Sequence, residues 1–189
     1  FKVPSDVRSL LLGSKIADLY LQPHIGGDIA LLTGIAKAVL ESGDHDAQFL
    51  SEHTNGSDAL LAHIASHSWS ALEQASGVSQ ASMREAAGVY AASQRAVFAW
   101  TMGITHHAHG VENVQAIANL ALLRAMVGRP GAGLLPLRGH SNVQGIGSMG
   151  VTPALKEQVC RAIEDRFNVR LPTTPGLDAA PNGMQSLGA

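Results

Sequence analysis

Between Trp100 and Gly150 the chain gathers polar side chains and glycines with little formal charge. Thr105, His106, His107, His109 and Gly110 stand at the entrance to a run patterned as a helix from Val111 to Val127. Free backbone N–H groups at such a start favour an anion. Gly128 to Gly133 (GRPGAG) must break that helix, and from Leu134 an apolar run leads into Arg138, Gly139, His140, Ser141, Asn142 and Gln144. This donor and acceptor set suits a buried ligand with many polar atoms. The HHxH spacing also admits a zinc or iron site. His106 and His109 would face alike if helical, yet a closed site needs three or four ligands, the last being His140 or a distant carboxylate. Neither an H-E-x-x-H word nor a cysteine pair accompanies it.

The elements that must hold these groups alternate between helix and strand. Ser5 opens a short helical turn, Ile16 to Gln22 reads as an apolar strand interrupted by Asp18, and Asp28 to Leu40 is an amphipathic helix beside the Gly26-Gly27 turn. Gly43 ends that helix. Helical periodicity continues through DAQFLSEHT and SDALLAHIASHSWSALEQASG, Gly77 closes this run, and Ser79 caps a helix reaching Tyr90. A strand from Ala96 to Met102 then stops at Gly103. Strands followed by a glycine turn and a helix indicate a parallel sheet in a layered α/β fold, helix-rich with few strands. So small a sheet leaves unpaired edges, and its neighbours are expected from elsewhere in a longer parent chain or from another copy. The stretch from Asn168 to Ala189, with Pro172, Pro175 and Pro181, is expected to be irregular.

Composition narrows the classes. The 189 residues suffice for one core unit, and 46% apolar residues with only 4% aromatics describe a folded chain of small side chains. A net charge of -2 and a pI near 6.5 leave no basic stripe, which argues against nucleic acid as a partner. There is no run of roughly 18 apolar residues for a membrane span, and FKVPSDVRS is no signal peptide, so a cytoplasmic parent is expected. Phe1 in place of Met reads as a cut within that parent. Cys160, in ALKEQVCRAIEDRF beside Val159 and Ile163, reads as a buried structural thiol. One cysteine cannot supply the roughly four thiolates of an iron-sulfur cluster.

The words MGITHHAHGVENVQAIANLALLRAMVGRPGAG and LRGHSNVQG, with KIADLYLQPHIGGD and IALLTGIAKAVLE upstream, resemble the large subunits of molybdopterin oxidoreductases. The likeness is greatest to the formate dehydrogenase-like branch of the DMSO reductase superfamily. It implies Rossmann-like layering of helices on a parallel sheet. Residues 1–137 would belong to an α/β domain that binds one pyranopterin guanine dinucleotide, and residues 138–189 would open the neighbouring α/β domain that binds the other.

Through the resemblance, Gly26, Gly27 and Asp28 help hold the guanine end of the cofactor, Asp28 accepting from guanine N1 and N2. The plainer reading is that Asp28 caps its helix. Met102, Gly103 and His106 fall where the family contacts the pterin, His106 replacing a commoner glutamine. The alternative for Met102 is core packing. Arg138, with Gly139, falls where an arginine near the metal orients an anionic substrate, unless it pairs with a structural carboxylate. His140, also in place of a frequent glutamine, joins it as a catalytic residue. Asn142, Gln144 and Gly145 line the pterin or satisfy their own loop. Asn113 and Gln115 are further polar candidates. Ala116, Ile117, Leu120, Leu123 and Val127 form the apolar face of their helix.

The resemblance further implies molybdenum or tungsten held by two such dinucleotides in the parent, with any [4Fe-4S] cluster in its N-terminal part. A small formate-like anion is the implied substrate of a two-electron reaction, the fragment alone being inactive. The other functions considered are a non-catalytic nucleotide-binding or interaction module and a metal-dependent hydrolase using the histidine cluster.

Overall fold

In the computed structural model residues 4–14, 17–149 and 157–171 are described, and the chain divides into two compact units, Phe1–Leu137 and Arg138–Ala189. In the first unit helices begin where the sequence offers caps. Asp6 accepts from the Arg8 N–H to open α1 (Val7–Leu12), and Asp46 accepts from the Phe49 N–H to open α3 (Ala47–His53). Ser68 and Ser79 do the same for α5 (Trp69–Ser76) and α6 (Gln80–Ala92). Glycines precede α2 (Asp28–Glu41) and α4 (Ser57–Ser66). The predicted run over 57–77 is thus two helices, parted where His67 and Ser68 turn extended.

α2 is the central helix, packed by α4, α5, α6 and α8 (Gly110–Leu123). Its buried residues are small: Gly34, Ala36, Ala38 and Val39. A Cβ on Gly34 would overlap the Met83 sulfur from α6, so the shortage of bulk on α2 is what lets its neighbours approach. Ala36, Leu50, Ile64, Leu120 and Leu123 form one cluster, and Leu72, Val78 and Met83 another. Glu41 ties the far end of α2 to Trp69 and Arg84. Burial pushes its carboxyl up, but the hydrogen bonds and charges of Arg84, Trp69 and Lys37 outweigh this and hold it below the usual value.

β1 (Val97–Trp100) pairs in parallel with β2 (Gly133–Pro136), Val97 opposite Gly133 and Trp100 opposite Pro136. α8 is the crossover between them, which makes the unit a helix-rich α/β fold with a parallel sheet, as expected. β1 is shorter than the predicted 96–102, because Met102 already begins the single turn α7 (Met102–Thr105).

Two predicted elements differ. Residues 17–24 form no strand, and Ile16 lies outside the described residues. The His24 N–H donates to the Ser76 carbonyl at 2.7 Å, Pro23 has no N–H to offer, and Leu21 packs on the Leu72 cluster, so the segment is fastened to α5 and not to a sheet. α8 stops at Leu123 instead of Val127. Ala125 turns left-handed (φ 52°), and the Met126 N–H returns to the Ala121 carbonyl at 2.9 Å. Burying Met126 completely turns the chain there and leaves Val127 38% exposed, off the apolar face.

In the second unit, α9 (Val143–Ser148) and α10 (Glu157–Phe167) are described. Cys160 lies on α10, as expected, but is only half-buried, since no residue of that helix is fully covered. Residues 168–171 are irregular, and the rest of the predicted irregular stretch lies outside the described residues.

Candidate functional site

The edge of the first unit on which the predicted residues fall is set by two helices of equal length. α2 and α8 each have 14 residues and pack side by side. At their far ends the Asp46 N–H donates to the Leu123 carbonyl at 2.8 Å, and Arg124 Nε donates to the Asp44 carbonyl at 3.0 Å. The helices therefore run the same way and start at the same edge. β1 feeds α8 through α7, so that edge is also where β1 ends. The carboxyl ends of the two parallel strands and the start of α8 meet there beside the start of α2, the kind of edge at which open α/β sheets bind ligands.

At the start of α2, Gly26 takes the left-handed conformation (φ 80°). Gly27 is buried, and a Cβ on it would stand 2.9 Å from the Ala75 carbonyl oxygen and 3.0 Å from Ser76 Cα, so only glycine lets the turn pass α5. Gly27 is the N-cap and offers no side-chain bond. Asp28 is the first helical residue, half-buried, and its carboxylate has no hydrogen-bond partner among the described residues. The capping role weighed for Asp28 is therefore not the one it plays. Both its oxygens remain able to accept, at the positive end of a helix that favours the negative charge.

At the start of α8, the His106 N–H donates to the Met102 carbonyl at 2.9 Å, so these two residues stack one helical turn apart. Met102 is half-buried and not core, His106 is exposed, and a Cβ on Gly103 would meet nothing. Gly110 is buried against the Thr105 carbonyl. Asn113, 2% exposed, donates Nδ2 to the Ile104 carbonyl at 2.9 Å. It is thus a brace for the α7 turn and not a ligand contact.

His106, His107 and His109 do not gather into a three-ligand cluster among the described residues. Residues 106–109 form a turn in which His106 closes α7 and His109 caps α8, so the shared helical face is lost. Among the described residues no three His, Cys, Asp or Glu groups stand together as a metal-holding cluster. Ile117, Leu120 and Leu123 are buried and Ala116 is half-buried, as their periodicity requires.

In the second unit, Arg138, Gly139, His140 and Gln144 are exposed, and Arg138 makes no ion pair among the described residues. Asn142 is left-handed (φ 52°) and precedes α9, its side chain folded so closely over Gly145 that a Cβ there would overlap Asn142 Oδ1.

Sequence reasoning missed a groove of about 160 Å³ among α2, α4 and α8, with Ile29, Leu32 and Leu60 facing Glu112, Gln115 and Asn119. The signal was the 112, 115, 119 spacing, a polar stripe at helical period beside the apolar face. It also missed Arg124, whose Nη1 donates to the Tyr90 and Ser93 carbonyls at 2.6 and 2.8 Å and so satisfies the end of α6.

Comparison with known proteins agrees with this architecture. The profile of the molybdopterin oxidoreductase family matches residues 6–178. Protein YdeP of Escherichia coli strain K12 is 37% identical over 199 aligned positions, covering 99% of this chain and 26% of its own length. Formate dehydrogenase H of the same strain is 34% identical over 140 positions, covering 74% of this chain and 20% of its own. The structure of acetylene hydratase from Pelobacter acetylenicus shares the fold, with a TM-score of 0.58 at 18% identity over 61% of this chain and 16% of that one. The chain spans about a quarter of the length of YdeP. With a parallel β–α–β unit and a profile match over most of its residues, the chain belongs to the molybdopterin oxidoreductase family.

Proposed function

We propose that this chain is the cofactor-binding part of a molybdenum- or tungsten-dependent oxidoreductase, formate dehydrogenase-like, that acts on a small anion of the formate type. In this reading residues 1–137 belong to the domain holding one guanine dinucleotide of a bis-pterin cofactor, and residues 138–189 open the domain holding the other. When bound, the cofactor supplies the two-electron chemistry of its metal. The observation that carries the reading is Asp28, an unpartnered, half-buried carboxylate at the edge where the Met102–His109 turn also lies.

Each residue then has a task its chemistry suits. Asp28 accepts the paired N–H donors of guanine, which only a carboxylate matches at both oxygens. Gly26 and Gly27 let the backbone reach that ligand. Met102 and Gly103 pack on the pterin, and His106 holds a proton at one ring nitrogen while accepting at the other. Arg138 orients the substrate anion with its guanidinium fork, Gly139 leaves room for it, and His140 moves a proton nearby. Asn142 and Gln144 offer amide donors to the pterin. The rest of the parent chain is the first partner, carrying the metal-ligating side chain, any [4Fe-4S] cluster and the contact with an electron carrier. The same reading keeps the parent in the cytoplasm and the isolated segment inactive.

The test is Asp28→Asn in the full-length parent purified from its native host, assayed for guanine nucleotide and pterin released by acid. The asparagine keeps the shape but turns one acceptor into a donor. Cofactor content is expected to fall at least tenfold. Wild-type content in the variant would remove Asp28, and with it the guanine assignment.

A further inference from the structure

Outside the residues assigned to the cofactor, α4 brings two ligating nitrogens together. His63 stands in the last turn of α4 and His67 is its C-cap, four residues on, so both rings leave one face. Their Nε2 atoms are 3.3 Å apart, and the ring planes meet at 89°. An imidazole pair at this distance needs at least one ring neutral and accepting.

In the metal-free chain this contact is a hydrogen bond between the rings, and the same separation suits a shared tetrahedral ion. Zinc–nitrogen bonds are about 2.0–2.1 Å long, and a tetrahedral angle between two of them sets the nitrogens about 3.3–3.4 Å apart. A right-angled pair, as square-planar copper or nickel prefers, would need about 2.8–3.0 Å. The backbone also holds the rings in place without a metal. Ile64 between them is 3% exposed, the Ser66 hydroxyl donates to the His63 carbonyl at 2.7 Å, and Lys37 Nζ from α2 donates to the Ala65 carbonyl at 3.2 Å. His63 is exposed and His67 half-buried, so a cation can reach the pair from water. His63 also lines the groove that carries Glu112 and Gln115, oxygen donors suited to the waters of an incompletely ligated ion.

We propose that His63 and His67 form a two-histidine chelate for a zinc-class divalent cation, with water in the remaining positions. The bonds made are two Nε2-to-metal donations from neutral imidazoles: a ring that carries its proton on Nε2 shifts it to Nδ1, and a charged ring releases its second proton to solvent. This site is independent of the pterin assignment, since none of its residues belongs to the cofactor edge.

The experiment is a zinc chloride titration of the full-length parent against a colorimetric zinc chelator, run for wild type, His63→Ala, His67→Ala and His107→Ala, and repeated with cobalt chloride. One equivalent held by wild type is expected to weaken at least tenfold in each α4 variant and to persist in His107→Ala. Cobalt is expected to give the visible bands of a tetrahedral ion in wild type only. Circular dichroism and the glutamine variants His63→Gln and His67→Gln, which keep a side chain of similar length, separate ligand loss from lost folding. If the glutamine variants bind zinc as wild type does, the proposal is overturned. Loss of the equivalent in His107→Ala alone would overturn it equally, placing the ion at the 106–109 turn.

Discussion

Replacing Gly110 by alanine is expected to dislodge the Met102–His109 turn while leaving α8 helical. A Cβ on Gly110 would overlap the Thr105 carbonyl oxygen and stand 2.9 Å from the Thr105 carbonyl carbon and 3.2 Å from its Cα. Carbon atoms normally meet at about 3.5–4.0 Å, so the Thr105 backbone must retreat by roughly half an ångström or more. Overpacking of this kind costs about 1–3 kcal/mol. Gly110 is not among the glycines at positive φ, so alanine returns about 0.4–1 kcal/mol by restricting the unfolded chain. Taken at the middle of each range the steric cost wins, with a net loss of about 1–2 kcal/mol. It should stay local, because the Asn113 brace to Ile104 ties this same turn to α8. The assay is native-state hydrogen exchange of the full-length parent, followed in peptides covering 102–109 and in peptides of α2. The loss corresponds to roughly 5- to 30-fold faster exchange in the turn. Asn113→Ala, which leaves the Ile104 carbonyl unpaired, is expected to act in the same direction by about 1–3 kcal/mol. If Gly110→Ala exchanges at the wild-type rate over 102–109 and keeps its full pterin content, the steric reasoning is refuted.

Two further outcomes follow from the geometry. Burial pushes the Tyr90 phenol up to about 12 against the opposing charges of Arg124 and Arg129, and its hydroxyl donates to the Leu120 carbonyl at 2.8 Å. The folded chain thus holds this proton more tightly than the unfolded chain, where tyrosine titrates near 10, so its contribution is complete below about pH 10 and is lost as pH rises toward 12. Denaturant midpoints of the parent should decline more steeply over that window in wild type than in Tyr90→Phe, and parallel declines would contradict the linkage. Arg138 is exposed and makes no ion pair among the described residues, so Arg138→Ala should change stability by no more than about 0.5 kcal/mol. If the proposed reading holds, steady-state kinetics of the parent with the small anion it turns over should show KM raised at least tenfold, and unchanged kinetic constants would remove Arg138 from the site.

Local chemistry was legible where it is self-contained. Ser79 and Gly77 marked helix boundaries because a cap hydroxyl and a left-handed glycine act on their own neighbours. The core face of α8 at Ile117, Leu120 and Leu123 followed from helical period. The segment 17–24 misled because apolar alternation describes a strand only if another strand stands beside it, and here Ser76 of α5 takes the backbone bond. The end of α8 misled for a related reason. The breaker legible in the sequence is Gly128, but the left-handed turn comes three residues earlier at Ala125, held by burying Met126 and by Arg124 reaching the carbonyls of Tyr90 and Ser93.

The candidate site divides along the same line. Which residues have the chemistry to bind a polar dinucleotide or an anion is a matter of side-chain type, and Asp28, His106 and Arg138 could be picked from the chain itself. Whether a carboxylate is spent on a cap, whether an asparagine is a brace, and whether two histidine rings meet depend on how the backbone turns around them, which residue type alone does not state. The common start of α2 and α8 rests on contacts from Asp44 and Asp46 to Leu123 and Arg124, nearly eighty residues apart. Sequence determined the helices, the small residues of α2 and the family words. Tertiary structure decided which of the polar groups are left without partners, because only packing settles which hydrogen bonds the protein makes for itself.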